Sequence, residues 1–274
     1  MNRSFIKFAL FVSAAFAMAS CTQKESYEPA EAEYSTLELT ASLPVETKTY
    51  NDGLSTKWSE NDQLSLSVTY FKIIGWDYVT DVADNPFVHA GNGKFVGKLE
   101  REIITGVLNA LSSTYTVTYP YGSQGIPSST TQNGYDSKAH LAGPNCPLTG
   151  EISLSIKQDY GSMLSDRTYT LPEVKLDHMS SVIEVSVVNN TAAPINVAEV
   201  DLLVDGAVKA TTVVENGGAL AVGQTAMVYV VVEPATYAGS QLSFKVNDSF
   251  VKTITAEQVT FTAGKIKRVN FELK

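Results

Sequence analysis

Few residues in this 274-residue chain have types and spacings that could do chemistry. His89, His140 and His178 are far apart, and none has a second His or Cys at metal-ligand spacing, so no zinc motif is present. Gly91, Gly93 and Gly97 have neither the spacing nor the following helix start of a nucleotide-binding loop, and no Gly-x-Ser-x-Gly elbow occurs. Asp77, Asp81 and Asp84 could offer oxygen ligands to calcium, but without an EF-type loop they read better as a solvated acidic surface. A carboxylate pair for glycoside hydrolysis is not visible in spacing alone. The expectation is therefore no enzyme, no catalytic residue, no cofactor and no metal. Of the two cysteines, Cys146 lies in a loop-rich stretch and Cys21 follows an apolar run near the N-terminus, so no disulfide is expected within the folded body.

Cys21 takes its meaning from what precedes it. Arg3 and Lys7 supply positive charge, and Phe8–Ala19 is an apolar run shorter than the ~20 residues of a spanning helix. Residues 1–20 thus read as a signal peptide. Met18-Ala19-Ser20-Cys21 resembles the lipobox of bacterial lipoproteins. That resemblance implies a thioether-linked diacylglyceryl group on Cys21 and an acylated α-amine, and two or three chains at ~0.8 kcal/mol per buried methylene hold a protein on a membrane effectively for good. The plainer reading is a secretory signal cut near Ala19 with a chance cysteine. Either way the protein is exported. Residues 21–33 are polar, acidic and contain proline, as a flexible tether would be; they are a plain linker or a signal routing the protein to the outer face of the outer membrane.

About 250 residues remain, enough for one large or two medium domains. Hydrophobic residues make up 44%, with 13 Tyr and 11 Phe, and Val, Thr and Ser recur, which favours strands. A formal net charge of −9 argues against nucleic acid and anionic lipid surfaces as electrostatic partners.

Period-two alternation begins at Tyr34, with Leu37, Leu39, Ala41 and Leu43 on one face. A turn at Asn51-Asp52-Gly53 and the stretch Lys57–Gln63 precede a second strand carrying Leu64, Leu66, Val68 and Tyr70. Gly91-Asn92-Gly93 marks a hairpin between short strands at Phe87–His89 and Lys94–Val96. Glu100–Leu111 fits a short helix or a strand. Tyr115–Tyr119 is a strand stopped by Pro120. Residues 122–150 are rich in loop signals and read as a surface excursion, either a contact surface or a mobile insertion. From Val174 onward, strands end at turn signals every 8–12 residues or so, as in a sandwich or barrel. With a boundary near residues 161–168, the expected domains are 34–165 and 166–274, all-β (mainly β), with at most one or two short helices.

The order Thr47-Lys48-Thr49-Tyr50, Lys57-Trp58-Ser59, Asn61-Asp62, then an alternating strand, resembles the opening of the fimbrillin family of pilus subunits and surface lipoproteins of Gram-negative anaerobes. Tyr119-Pro120-Tyr121, Leu176–Ile183 and Phe261–Lys265 extend the resemblance over nearly the whole mature chain. On their own physics these residues are structural: Trp58 buries against the first sheet, Asp62 caps a strand entry, Gly264 allows a turn. The resemblance implies two transthyretin-like β-sandwich domains and a pilus structural, anchor or accessory subunit with a role in adhesion. It also implies assembly by strand addition with other subunits, contact with a host or bacterial surface ligand, and a place on the outer membrane or in a fimbrium. The alternative is a solitary lipoprotein that binds a glycan or protein without polymerising.

In that family a protease cutting after arginine removes the first strand, and a terminal strand of another subunit fills the groove. Here the sequence departs from the pattern, because after Arg3 the next arginine is Arg101. The basic residue beyond the first strand is Lys48, the candidate cleavage position if cleavage occurs. Ile266, Val269, Phe271 and Leu273 lie on the alternating last strand, the candidate donor unless it pairs within its own domain.

Overall fold

The computed structural model describes residues 34–44, 58–74, 77–100, 113–154 and 169–274. Cys21, the tether, Lys48, the proposed boundary at 161–168 and the expected helix beyond Glu100 lie outside them. Among the described residues the fold is all-β, with short 3-10 turns as its helical segments.

Alternation sets the first sheet. β1 (Tyr34–Ser42) buries Leu37, Leu39 and Ala41 on one face. β2 (Gln63–Ile74) does the same with Leu64, Leu66 and Val68, and pairs along its length with β3 (Asp77–Gly91). The strand expected at Phe87–His89 is the end of that longer β3. The turn through Gly91, Asn92 and Gly93, all at positive φ, leads into β4 (Lys94–Glu100). With β5 (Ser113–Tyr119), β7 (Leu148–Leu154), β8 (Tyr169–Thr170), β9 (Val174–Lys175) and β10 (Asp177–His178), these strands form a nine-stranded sheet in the order β10-β7-β5-β2-β3-β4-β1-β8, with β9 also beside β1. The sheet rolls up: Val174–His178 passes from β1 to β7, and Gly150 on β7 is so close to Lys175 O that a Cβ there would sit 2.6 Å away. The inner faces enclose one core containing Leu39, Leu64, Phe87, Phe95, Val117, Val174 and Leu176.

The second body is a sandwich. A five-stranded sheet runs β19 (Phe250–Thr253), β18 (Leu242–Val246), β13 (Glu199–Val204), β14 (Ala207–Glu215), β6 (Ser129–Asn133). A three-stranded sheet, β16 (Thr225–Val232), β11 (Ser181–Asn189), β21 (Ile266–Leu273), faces it across a core of Ile183, Val185, Val228, Val230, Leu202, Phe244 and Phe271. The single strand expected over Val174–Val188 is broken into β9, β10 and β11.

One element crosses between the bodies. Residues 122–150 are not a surface excursion throughout, because β6 adds to β14 in parallel, from Thr211↔Ser129 to Glu215↔Asn133. Gln132 is fully buried: its Nε2–H donates to Gly134 O and Met227 O, and its Oε1 accepts from Tyr229 N–H, each at 2.9 Å. The amide side chain thereby ties β6 to β16 of the opposite sheet. Thr130 and Thr212 hydroxyls meet at 3.1 Å beside it, so the polar seam satisfies its own hydrogen bonds. The 3-10 turns Ala139–Leu141 and Gly143–Asn145 then lay Leu141 and Cys146 on Val182, Tyr229 and Val231.

Cys146 is therefore a core residue, although it lies in a stretch that reads as loop: it is 4% exposed. Cys146→Ser puts a hydroxyl into an apolar cluster and is expected to lower stability by about 1–3 kcal/mol, read as a shift in the urea midpoint.

Candidate functional site: the seat of the first strand

The described residues bring no catalytic constellation together. Glu199, Asp201 and Asp248 converge, but Lys245 Nζ already lies 2.9 Å from Asp201 and 2.5 Å from Asp248, supplying the cation that buried Asp201 requires. Asp84 accepts a hydrogen bond from Ser65; the side chains of Asp77 and Asp81 lie outside the described residues.

The best-defined site is the seat of β1. Along one edge β1 pairs antiparallel with β4 from Tyr34↔Glu100 to Thr40↔Lys94, reinforced by Lys94 Nζ on Glu38 at 2.8 Å. Along the other it meets β8 and β9 in parallel, at Leu37↔Tyr169, Glu38↔Thr170, Ala41↔Val174 and Ser42↔Lys175. Leu171 N–H donates to Glu38 O and Leu176 N–H to Ser42 O, completing that edge. β1 is thus an inner strand with Leu39 fully buried, rather than a sheet edge.

Its C-terminal end is clamped. Trp58 Nε1–H donates to Ala41 O at 3.1 Å, and Ala41 N–H donates to Gly93 O at 2.8 Å. A Cβ on Gly93 would stand 2.9 Å from Ala41 O, so glycine serves here for both its φ of +71° and its close approach. The indole packs edge-on against Phe95 at 4.8 Å and Tyr119 at 5.3 Å between ring centroids. Asp62 organises the approach: its carboxylate accepts from Ser59 N–H at 2.6 Å and from Tyr119 OH at 3.0 Å. Burial, then the hydrogen bond and charge of Asp62, push the Tyr119 hydroxyl up to about 12. His89 contacts Ser59 O through Nδ1 at 3.0 Å. The sequence reading of Trp58 and Asp62 as packing and capping residues agrees with these contacts.

Beside the clamp lies a cleft of about 370 Å³ lined by Leu43, Trp58, Asp62, Tyr119, Cys146 and His178, among others. His178 packs on Gly264 on one side of this cleft. Burial holds the His178 imidazole below its ordinary value against the pull of Asp177; burial likewise lowers His140, whose Nε2 lies 3.1 Å from Tyr229 O, against its backbone hydrogen bonds. A histidine depressed in the fold takes up its proton more readily when unfolded, so stability falls as pH drops below about 6.5 and on through the folded values. The melting temperature should fall between pH 7 and pH 5, and the fall should shrink in a His140→Gln, His178→Gln double variant.

The last strand pairs within its own domain. β21 lies parallel to β11 from Val182↔Ile266 to Asn189↔Leu273, with Phe271 and Leu273 buried and Ile266 and Val269 partly so. Among the described residues no strand pairs with its other edge; Lys252 Nζ donates to Asn270 O at 2.6 Å.

No protein-family profile matches the chain. No curated protein matches it either. Among solved structures, the chain is similar to a candidate cell adhesion protein of Bacteroides ovatus, with 11% identity over 88% of this chain and 92% of that one and a TM-score of 0.45. It is also similar to a fimbrial protein of Bacteroides ovatus, at 16% identity over 88% of this chain and 50% of that one, TM-score 0.37. A fimbrial assembly protein of Parabacteroides distasonis is similar at 13% identity over 87% and 90%, TM-score 0.32.

Proposed function

We propose that this protein is a lipid-anchored surface protein of the fimbrial and adhesion kind, held to the outer membrane through Cys21 and acting as an anchor or accessory subunit of a pilus that joins its partners by strand addition. The observation that carries this reading is the seat of β1: a single strand lies between β4 on one edge and β8 and β9 on the other, its apolar face packs into the first core, and its exit is gripped by one indole. Such a seat accepts an extended segment by backbone pairing and selects it by alternate side chains. Double-edged pairing favours a chain that keeps β1, hence an anchor, over one that loses it after Lys48.

N-terminal sequencing and palmitate labelling of surface protein test this. A blocked, labelled Cys21 end supports the anchor. A start at Thr49 supports a polymerising subunit whose vacated seat takes a donor strand from another subunit. An unlabelled protein that leaves the membrane in a carbonate wash overturns the anchoring.

The cleft beside Trp58 and Tyr119 favours a second reading, a solitary lipoprotein that binds a glycan or protein ligand there. Denaturant-resistant ladders and filaments in electron micrographs separate the two, since the solitary binder gives neither.

A further inference from the structure

The terminal strands of the described body each have one end at the junction of its two parts, β1 running toward that junction and β21 away from it. β1 enters at Tyr34, opposite Glu100, and ends at Ser42 beside Lys175, from which the chain passes directly through β10 to Ser181 at the start of β11. β21 begins where β11 begins: Gly264 N–H donates to Ser180 O at 2.9 Å and Val182 N–H to Lys265 O at 3.1 Å. It ends at Leu273 beside Asn189, away from that junction. Tyr34 and Leu273 are therefore each the outer end of a strand whose inner end lies at the junction.

From this geometry we propose that the fold bears tension, with β1 and β21 as two clamps loaded in shear when the chain is pulled between its N-terminal tether and its C-terminus. Pulling on Tyr34 draws β1 along its own axis, against β4 on one side and β8 and β9 on the other, so the paired backbone groups resist together. Pulling on Lys274 draws β21 along β11, loading all the pairs from Ile266 to Leu273 at once. A slip of one residue in either strand turns its buried side chains to the wrong face, so there is no low-cost intermediate register. Peeling a hairpin from its end would break the same bonds singly.

The junction is built for the same load. The exchange is reciprocal: β6, from the first half of the chain, is a strand of the second sandwich, and β8, β9 and β10, which follow it, belong to the first sheet. The bodies part only if strands are extracted from both. With Cys21 and Cys146 the only cysteines in the sequence, no disulfide loop within the described body can carry the force instead.

The tension-bearing reading draws its purpose from anchoring at Cys21, but its test does not depend on lipidation. The chain of residues 22–274, with enzymatic handles at its two ends, is stretched singly by optical tweezers or atomic force microscopy. Two separate high-force events are expected, one per sandwich. Moving the N-terminal handle to Ala90→Cys, an exposed position at the junction end of β3, takes β1 out of the load path and should abolish the first high-force event. Moving the C-terminal handle to Val251→Cys, which is 62% exposed on β19, takes β21 out and should abolish the second while preserving the first. Circular dichroism melts matching the parent establish that each variant is folded, and the two variants test the clamps independently. Rupture forces that do not change with handle position would overturn the proposal even if Cys21 proves to be acylated; an unacylated Cys21 with position-dependent forces would overturn only the anchoring.

Discussion

A chain beginning at Thr49, as cleavage after Lys48 would leave it, is expected to lose the cooperative thermal transition of its first body and bind hydrophobic dyes, while the second sandwich still melts, and a synthetic peptide of residues 34–44 is expected to restore the lost transition. Leu37 and Leu39 are 4% and 0% exposed. Full burial of such side chains is worth about 1.5–3 kcal/mol each, so the pair accounts for roughly 3–6 kcal/mol. Domains are stable by only about 5–15 kcal/mol in all, and β4, β8 and β9 would also lose their pairing with β1, so what remains of the first body is at best marginal. The peptide meets preformed partners on both edges and the Trp58 indole at its end, which is why it should dock in register. Replacing Leu39 by Asp in the peptide should abolish rescue, since a carboxylate would enter a closed apolar core. A Thr49 chain whose first body still melts cooperatively near the parent temperature, with no dye binding, would mean that β1 is dispensable, and strand addition at this seat would lose its driving force.

The second large effect concerns the division of the chain at residue 165. A fragment of residues 166–274 contains most of the second sandwich and is expected not to fold cooperatively. It lacks β6, so β14 loses its parallel neighbour, and Met227 O and Tyr229 N–H lose the Gln132 amide. It also uncovers Val182, Tyr229 and Val231, which Leu141 and Cys146 otherwise shield. Each lost hydrogen bond costs about 0.5–1.5 kcal/mol net, and each uncovered large apolar side chain adds up to about 1.5–3 kcal/mol. Extending the fragment to begin at residue 122 returns β6 and both 3-10 turns and should recover a cooperative urea transition. Equal stability of the two fragments would show that β6 is only a passenger on the sandwich.

These two effects mark where sequence reading stops. Alternation of period two located β1 and β21 almost to the residue, because both strands have one apolar face and one wet face, the pattern that local periodicity detects. The hairpin at Gly91-Asn92-Gly93 was equally legible, since positive φ selects glycine and asparagine. So were Trp58 and Asp62 as structural residues, although their target, the exit of β1, could not be named. What chemistry can be read at Cys21 and Lys48 is also local.

β6 was invisible for the opposite reason. In Ser129-Thr130-Thr131-Gln132-Asn133 the buried face consists of Thr130 and Gln132, so burial leaves no hydrophobic signature and the segment reads as loop. Its partners, Thr212, Met227 and Tyr229, lie more than 80 residues further along the chain. Only the fold brings those backbone groups to the amide of Gln132. The same holds for β1. The sequence by itself determined that an amphipathic strand begins near Tyr34, because side-chain alternation is a property of a few neighbouring residues. Only the tertiary structure decided that this strand is enclosed on both edges, since its second edge is closed by Tyr169–Lys175, and pairing between segments so far apart is set by which backbone groups remain unsatisfied once the core has closed.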